Sequence, residues 1–322
     1  MLYLLEWISA NRLPPIRHFE SKGCTNFTMD VALITCSEWP HLNHSDRLLQ
    51  RALATRGIEA GPLIWNDPAV DWSRPLVSVL RSPGDFYGQR PAFLEWARHV
   101  SQMNTLWNPF PLLHWSSHKG YLLDLAEQGV PIIPTLWLTQ GSSANLAQLM
   151  QERHWSEVII KPAVSSNAYG TIRVTEEEAA SEGQLYLDHM LATHDMLIQP
   201  FFPAVLHKGE RSLIFINGEV THAVLRPPIR AVSHSHAATP TAEKLIVPRA
   251  EELRLAHKII HLLPSRVLFA RIDLVDDTDG QPCVMEVELI DPRLWLDLMP
   301  GAAEHFAAAI AKEVQQAKYV HH

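Results

Sequence analysis

Cysteine is scarce in this chain. The 322 residues hold three, Cys24, Cys36 and Cys283, with no C-x-x-C pair. An odd, scattered set excludes a disulfide framework and fits a reducing compartment, so a cytoplasmic location is expected. No apolar run reaches the roughly 18–20 residues that a bilayer-spanning helix needs, so no membrane partner is expected. Lysine and arginine form no stripe, and the formal net charge is −8. A protein that grips phosphate backbones needs clustered basic residues, which excludes nucleic acid as a partner. Eighteen histidines are present, yet none falls in a His-Glu-x-x-His pattern or a zinc-finger spacing. There is no internal repeat and no low-complexity tract.

What is present is enough apolar material, 47% of the chain, to build a sizeable core. The length suits two or three units sharing interfaces. Residues 1–28 stand apart. Their apolar start is short, Glu6 interrupts it, and it has neither a basic n-region nor a small-residue cleavage site, so it is not read as a signal peptide. Strand-like patterning begins after Met29. Residues 1–28 are therefore read as an N-terminal extension, or Met29 as the true start.

Strands over 31–35, 62–65 and 76–80 alternate with helices over 46–56, which Gly57 stops, and 91–103; this is the pattern of a parallel α/β unit. A second unit starts near His114, with a helix over 119–128, a strand over 132–138 and a helix over 142–153. A strand over 158–161 then runs into a small-residue loop, 163–171. Thr175 followed by Glu178 reads as a capping box, so a helix is expected over 176–192, before a strand that begins at Leu197. In a third unit, Asn217-Gly218 between the apolar runs 211–216 and 219–225 signals a type I′ hairpin. Residues 229–241 are expected to be a loop and 250–263 a helix. Runs 268–275 and 283–290 form a second hairpin, and 302–318 closes the chain as a helix. The units expected are 29–113, 114–199 and 200–322.

Three carboxylates are candidates for a metal site. Asp273 lies on one strand of the last hairpin, with Glu286 and Glu288 on the other. Residues two apart on a strand share a face, so in regular register all three converge in an otherwise apolar sheet. Buried carboxylates need a counter-charge, and oxygen-only ligands favour magnesium. Exposure of Glu286 and Glu288 on the outer face of an edge hairpin is the competing reading.

Lys161 ends an apolar strand before Pro162 and the small-residue loop. There a lysine and backbone N–H groups can meet phosphates, or the lysine can simply sit on the surface. With Gly170 its sole glycine, the loop is no P-loop. Arg211 and Arg226 bracket the Asn-Gly hairpin, and Arg226, leaving an apolar strand, is a candidate for stabilising developing charge, or for a rim salt bridge. His234-x-His236 is read as part of an exposed loop, with metal or substrate binding as the alternative.

The order of these motifs resembles the ATP-grasp superfamily. Within it the chain is similar to the branch of glutathione synthetases and ribosomal-protein modification ligases, and most of all to the O-ureido-serine cyclo-ligase type of cycloserine biosynthesis. The stretches that carry the resemblance include Arg81-Ser82-Pro83-Gly84-Asp85-Phe86-Tyr87, Trp107-Asn108-Pro109, Lys119-Gly120-Tyr121-Leu122, Lys161-Pro162-Ala163-Val164, Gln199-Pro200-Phe201, Gly209-Glu210-Arg211-Ser212 and Glu286-Val287-Glu288-Leu289-Ile290-Asp291-Pro292. The fold implied is an α/β ATP-grasp fold with an N-terminal Rossmann-like domain.

The activity implied is an ATP- and magnesium-dependent ligase that activates a small carboxylate as an acyl phosphate and joins it to an amine. The alternatives on the same fold are a phosphotransferase and a non-catalytic ATP-binding regulator. The resemblance also implies roles. Lys119, Lys161 and the loop residues Ser165, Gly170 and Thr171 would contact ATP phosphates. Gln199 and the Phe201 backbone would meet adenine, with Glu210 also on the nucleotide side. Arg226 and Arg211 would be catalytic, Asp273, Glu286 and Glu288 would hold Mg2+, and Arg81, Asp85 and Tyr87 would face substrate. Many relatives of this kind pair as homodimers. The chain departs from the superfamily in having Glu-x-Glu where Glu-x-Asn is common, and in having no glycine over 229–238, where relatives carry a glycine-rich stretch.

Overall fold

The structure, a computed structural model, describes residues 29–227 and 242–320. The N-terminal extension and the His234/His236 loop lie outside the described residues. The first unit runs β1 (Val31–Thr35), α1 (His44–Ala54), β2 (Ala60–Ile64), β3 (Val77–Ser82), a single 3-10 turn (Phe86–Gln89), α2 (Arg90–Met103), β4 (Thr105–Trp107) and α3 (Phe110–Ser116). Its sheet has the order β2-β1-β3-β4, with every pairing parallel. All of β1 is buried, which explains why it reads as an unbroken apolar run. The Asn43 side chain caps α1 by accepting from the Asp46 N–H at 2.9 Å.

The second unit contains α4 (Tyr121–Glu127), β5 (Leu136–Leu138), α5 (Leu146–Arg153), β6 (Glu157–Pro162), β7 (Ile172–Thr175), α6 (Glu182–Leu191) and β8 (Met196–Pro200). Its sheet is antiparallel, in the order β5-β8-β6-β7. The strand expected over 132–138 is reduced to its last three residues, because Ile132 leaves it to bridge Val284. The helix expected from residue 176 begins at Glu182. Thr175 is the last residue of β7, paired with Glu157. Its hydroxyl donates to Glu178 Oε2 at 2.9 Å instead of accepting a helical N–H, so the pair closes a turn at a strand end.

The third unit contains α7 (Ala204–Lys208), β9 (Glu210–Ile216), β10 (Glu219–Arg226), β11 (Lys244–Ile246), α8 (Ala250–Leu262), β12 (Phe269–Asp276), β13 (Pro282–Glu288) and α9 (Ala302–Val320). The antiparallel sheet order is β11-β10-β9-β12-β13. Asn217 and Gly218 both take positive φ, 53° and 82°, as a type I′ turn requires.

Alternation along β9 divides two cores. Leu213 and Phe215 pack with Leu255, Ala256 and Ile259 of α8. Ile214 and Ile216 join Phe269, the first unit's sheet and Phe306 of α9. The closing helix, grouped by sequence with 200–322, thus shares the first unit's core. Asn108 fastens that junction. Fully buried, it donates to Phe269 O and Leu289 O at 2.9 Å each and accepts from Leu268 N at 2.9 Å. No helix among the described residues is long and apolar enough to cross a membrane.

Candidate active site

The three carboxylates do converge. Asp273 is fully buried in β12 and lies opposite Glu286 of β13 on one side and Ser212 of β9 on the other. Glu288 shares the Glu286 face, and one oxygen from each of the three lies within 4.8 Å of the others. The sheet around them is not purely apolar, because Arg271 stands in the cluster. Its Nη2 donates to Asp273 Oδ2 at 2.9 Å and to Glu288 Oε1 at 2.7 Å, and its Nε donates to Asp273 Oδ1 at 3.0 Å. Burial disfavours the Arg271 cation, but Asp273 and Glu288 overcome that and raise its pKa. The signal for Arg271 was present: it is two residues from Asp273, hence on the same face.

Lys119 sits just before α4, where its backbone N–H donates to Ala163 O at 2.8 Å. Its Nζ lies 3.0 Å from Glu286 Oε1, and it donates to Ser165 Oγ at 3.0 Å and to Ser165 O at 3.1 Å. Lys161, near the end of β6, is 8% exposed, and its ammonium group makes no hydrogen bond or ion pair among the described residues. Burial, with the Lys119 charge adding to it and Glu286 opposing, lowers its pKa to about 8. A buried cation without a partner is a site prepared for an anion.

Burial alone would raise the Glu286 carboxyl, yet Lys119 and Lys161 outweigh it and hold it at about 2. Glu288 goes the other way: burial, reinforced by Glu286 and Asp273, lifts it to about 7 despite Arg271. Three clustered carboxylates with one pushed this high are short of positive charge. They offer only oxygen donors, so the residues fit magnesium. Arg226 completes the cluster, donating Nη1 to Glu210 Oε2 at 2.7 Å and lying 3.6 Å from Asp273 Oδ2. Burial raises the Glu210 carboxyl against the Arg226 charge that lowers it.

The loop over 163–171 folds beside Lys119 and Lys161. Asn167, Ala168 and Gly170 have φ of 51°, 57° and 67°. A Cβ on Gly170 would stand 2.9 Å from Pro162 Cγ, so glycine is required there. Tyr186 OH fixes the Gly170 carbonyl at 2.6 Å, and Thr171 N donates to Ala168 O. Further along, Gln199 is buried and donates to Thr135 Oγ1 at 2.9 Å. The Phe201 N–H is taken by Glu157 O at 2.9 Å, which leaves the carbonyl as the backbone group able to meet adenine. The Arg173 guanidinium covers the Phe201 ring at 3.9 Å.

Two placements are corrected. Arg211 does not face the carboxylate cluster. Strand alternation turns it to the opposite face of β9 from Glu210 and Ser212, where it pairs with Glu252 of α8 and with Asp276. Arg81 is not an open substrate contact. It is 3% exposed, its Nε bonds Asp46 Oδ1 at 2.8 Å, and its guanidinium lies over the Phe269 and Phe306 rings. Asp85 accepts from Trp65 Nε1 at 2.6 Å. Tyr87 packs against Tyr169 of the loop, with ring centroids 5.0 Å apart. His222 is structural, its Nε2 bonded to Leu294 O at 2.9 Å.

A cavity joins the three units. Phe86 lines it from the first, Lys119 and Ser165 from the second, and Glu286, Glu288 and Asp291 from the third.

Comparison with known proteins matches residues 129–293 to the ATP-grasp domain of prokaryotic glutathione synthetase. Residues 31–108 match the N-terminal domain of the D-cycloserine synthetase DcsG. The chain is 31% identical over 297 residues to the cycloserine biosynthesis protein DcsG of Streptomyces lavendulae, spanning 88% of this chain and 99% of that one. The crystal structure of D-cycloserine synthetase DcsG superposes with a TM-score of 0.79 at 30% identity, again over 88% and 99% of the two chains. D-alanyl-alanine synthetase A from Vibrio cholerae shares the fold, with a TM-score of 0.65 at 15% identity over 90% of this chain and 99% of that one.

Proposed function

Since this chain belongs to the ATP-grasp ligases, in the family of the cycloserine synthetase DcsG, we propose that its three-unit cavity joins a small amino-acid-like carboxylate to nitrogen at the expense of ATP. The single observation that carries the reading is the clustering, beside that cavity, of an unpaired buried lysine, a second lysine, an arginine and three carboxylates.

In this reading Lys161 and Lys119 hold the phosphates, and the 163–171 loop covers them with backbone N–H groups. Gln199 and the Phe201 carbonyl stand at the adenine end. Asp273, Glu286 and Glu288 hold magnesium, which when bound neutralises the phosphate charge. Arg271 keeps the carboxylates in register through its bonds to Asp273 and Glu288. Arg226, held by Glu210, presents its guanidinium where charge develops, first on the transferring phosphoryl group and then on the tetrahedral carbon. The substrate carboxylate oxygen attacks the γ-phosphorus and ADP leaves. Nitrogen then attacks the acyl carbon, and phosphate departs with that oxygen. Positioning and charge neutralisation supply the catalysis.

The test is ADP release from Mg-ATP with pools of amino acids, comparing wild type with a D273N/E286Q variant. Amino-acid-stimulated release that the variant loses is the expected result. A stable phosphorylated product with no nitrogen incorporated would instead assign a phosphotransferase.

A further inference from the structure

The cavity carries two polar groups that neither nucleotide nor metal uses. Asp291 lines it three residues beyond Glu288 and makes no hydrogen bond or ion pair among the described residues. The cation beside it, Arg81, is spoken for. Its Nε bonds Asp46, whose carboxylate is also held by Ser82 Oγ at 2.7 Å and Asn43 Nδ2 at 2.7 Å. Gly84 makes room for the group, since a Cβ there would stand 3.1 Å from Asp291 Oδ2. The second group is the Ser116 hydroxyl, which lines the same cavity, is buried and has no partner. Burial, with the Glu288 charge adding to it, lifts the Asp291 carboxyl well above the usual carboxylate range. A carboxyl without a counter-charge and a hydroxyl without a partner in one cavity call for a ligand that is cationic and rich in donors.

We propose that Asp291 and Ser116 form the subsite for the ammonium group of the amino-acid substrate. The assignment rests on the ligase reading above. Lys119, Lys161 and Arg226 face the phosphates and the carboxylate end of a zwitterionic substrate. The opposite charge of that substrate then meets Asp291, whose two oxygens and the Ser116 oxygen accept from the three ammonium N–H groups. Recognition of this kind favours a free amino acid over its N-acyl derivative, which has lost the charge, and over its 2-hydroxy analogue, which has lost the charge and keeps one donor of three.

The experiment measures ADP release by wild type, D291N and S116A. The substrates are a panel of free D- and L-amino acids, their N-acetyl derivatives and their 2-hydroxy analogues. Mg-ATP affinity is measured separately as the control for folding. Wild type is expected to respond to free amino acids alone among the first two sets. D291N raises KM for the free amino acid about 50-fold. It leaves KM for the 2-hydroxy analogue and the Kd for Mg-ATP within about twofold, a split that a merely structural residue would not produce. S116A raises the amino-acid KM about fivefold.

Equal use of N-acetyl and free forms by wild type, or an unchanged preference in D291N, overturns the subsite. So does a wild type that binds Mg-ATP but responds to no amino acid, a result that leaves the nucleotide site standing. Failure to bind Mg-ATP overturns the nucleotide site, and the subsite with it.

Discussion

Replacing Asn108 with alanine removes the fastening between the first unit and the hairpin that carries the carboxylates. The side chain is fully buried, and both of its N–H groups are used, on Phe269 O and Leu289 O. Its oxygen accepts from Leu268 N at 2.9 Å and from Phe269 N at 3.4 Å. Alanine leaves two carbonyls and at least one amide without partners where water is excluded. At ~1 kcal/mol or more for each orphaned group, N108A destabilises the protein by about 3–5 kcal/mol. Aspartate at the same position is worse, because a carboxylate cannot donate to the two carbonyls it would face.

Phe269 opens the strand that carries Asp273, and Leu289 directly follows Glu288 at the end of the other, so the damage reaches the site as well as the fold. Equilibrium urea unfolding followed by tryptophan fluorescence measures the loss, and ADP release at 15 °C measures the effect on the site. A midpoint within 0.5 kcal/mol of wild type, ~0.5 kcal/mol being the scatter of ordinary surface changes, refutes the reasoning.

Lys161 carries its charge at a cost in stability. Its pKa is lowered from 10.5 to about 8, chiefly by burial. Between those values the unfolded chain holds a proton that the folded one has released, so stability rises with pH across that window. Keeping the charge at pH 7 therefore costs about 3 kcal/mol. K161M is expected to be more stable than wild type by that order at pH 7, with the advantage fading toward pH 10.5, while its affinity for ATP falls. R271Q strips the cluster of its internal cation and is expected to unfold about 3–5 kcal/mol more easily without magnesium. Saturating Mg2+ should recover part of that in a thermal scan, and equal losses with and without the ion would count against the cluster as a magnesium site. R211M, on the far face of β9, should lose about 2 kcal/mol of stability, since Arg249 still pairs with Glu252 and Asp276. Its kcat/KM should stay within about threefold of wild type, and a collapse to background would restore Arg211 to the catalytic set.

The carboxylate site was legible because hairpin signals and a two-residue period are local. Asn217-Gly218 sets one hairpin, and Asp273 stands opposite Glu286 as regular register requires. The same period turned Arg211 away from Glu210 and Ser212, but alternation alone does not say which face a helix covers. The structure shows α8 on the Leu213 and Phe215 face, with Ser212 turned to Asp273 on the other. The second unit was less legible. β7 is four residues long, follows a loop with three left-handed residues, and ends in a Thr-Glu pair that imitates a helix start. The bonds of Asn108 and the burial of Arg81 between Phe269 and Phe306 join residues about 160 or more positions apart. No local pattern reports such contacts.

The chemistry itself can be followed with oxygen-18. A responding amino acid, labelled in its carboxylate oxygens, is turned over with unlabelled Mg-ATP and the released phosphate is analysed by mass spectrometry. Activation as an acyl phosphate places one labelled oxygen in each phosphate formed. Phosphate free of label, released while a C–N bond is made, would contradict attack of the carboxylate on ATP in this cleft.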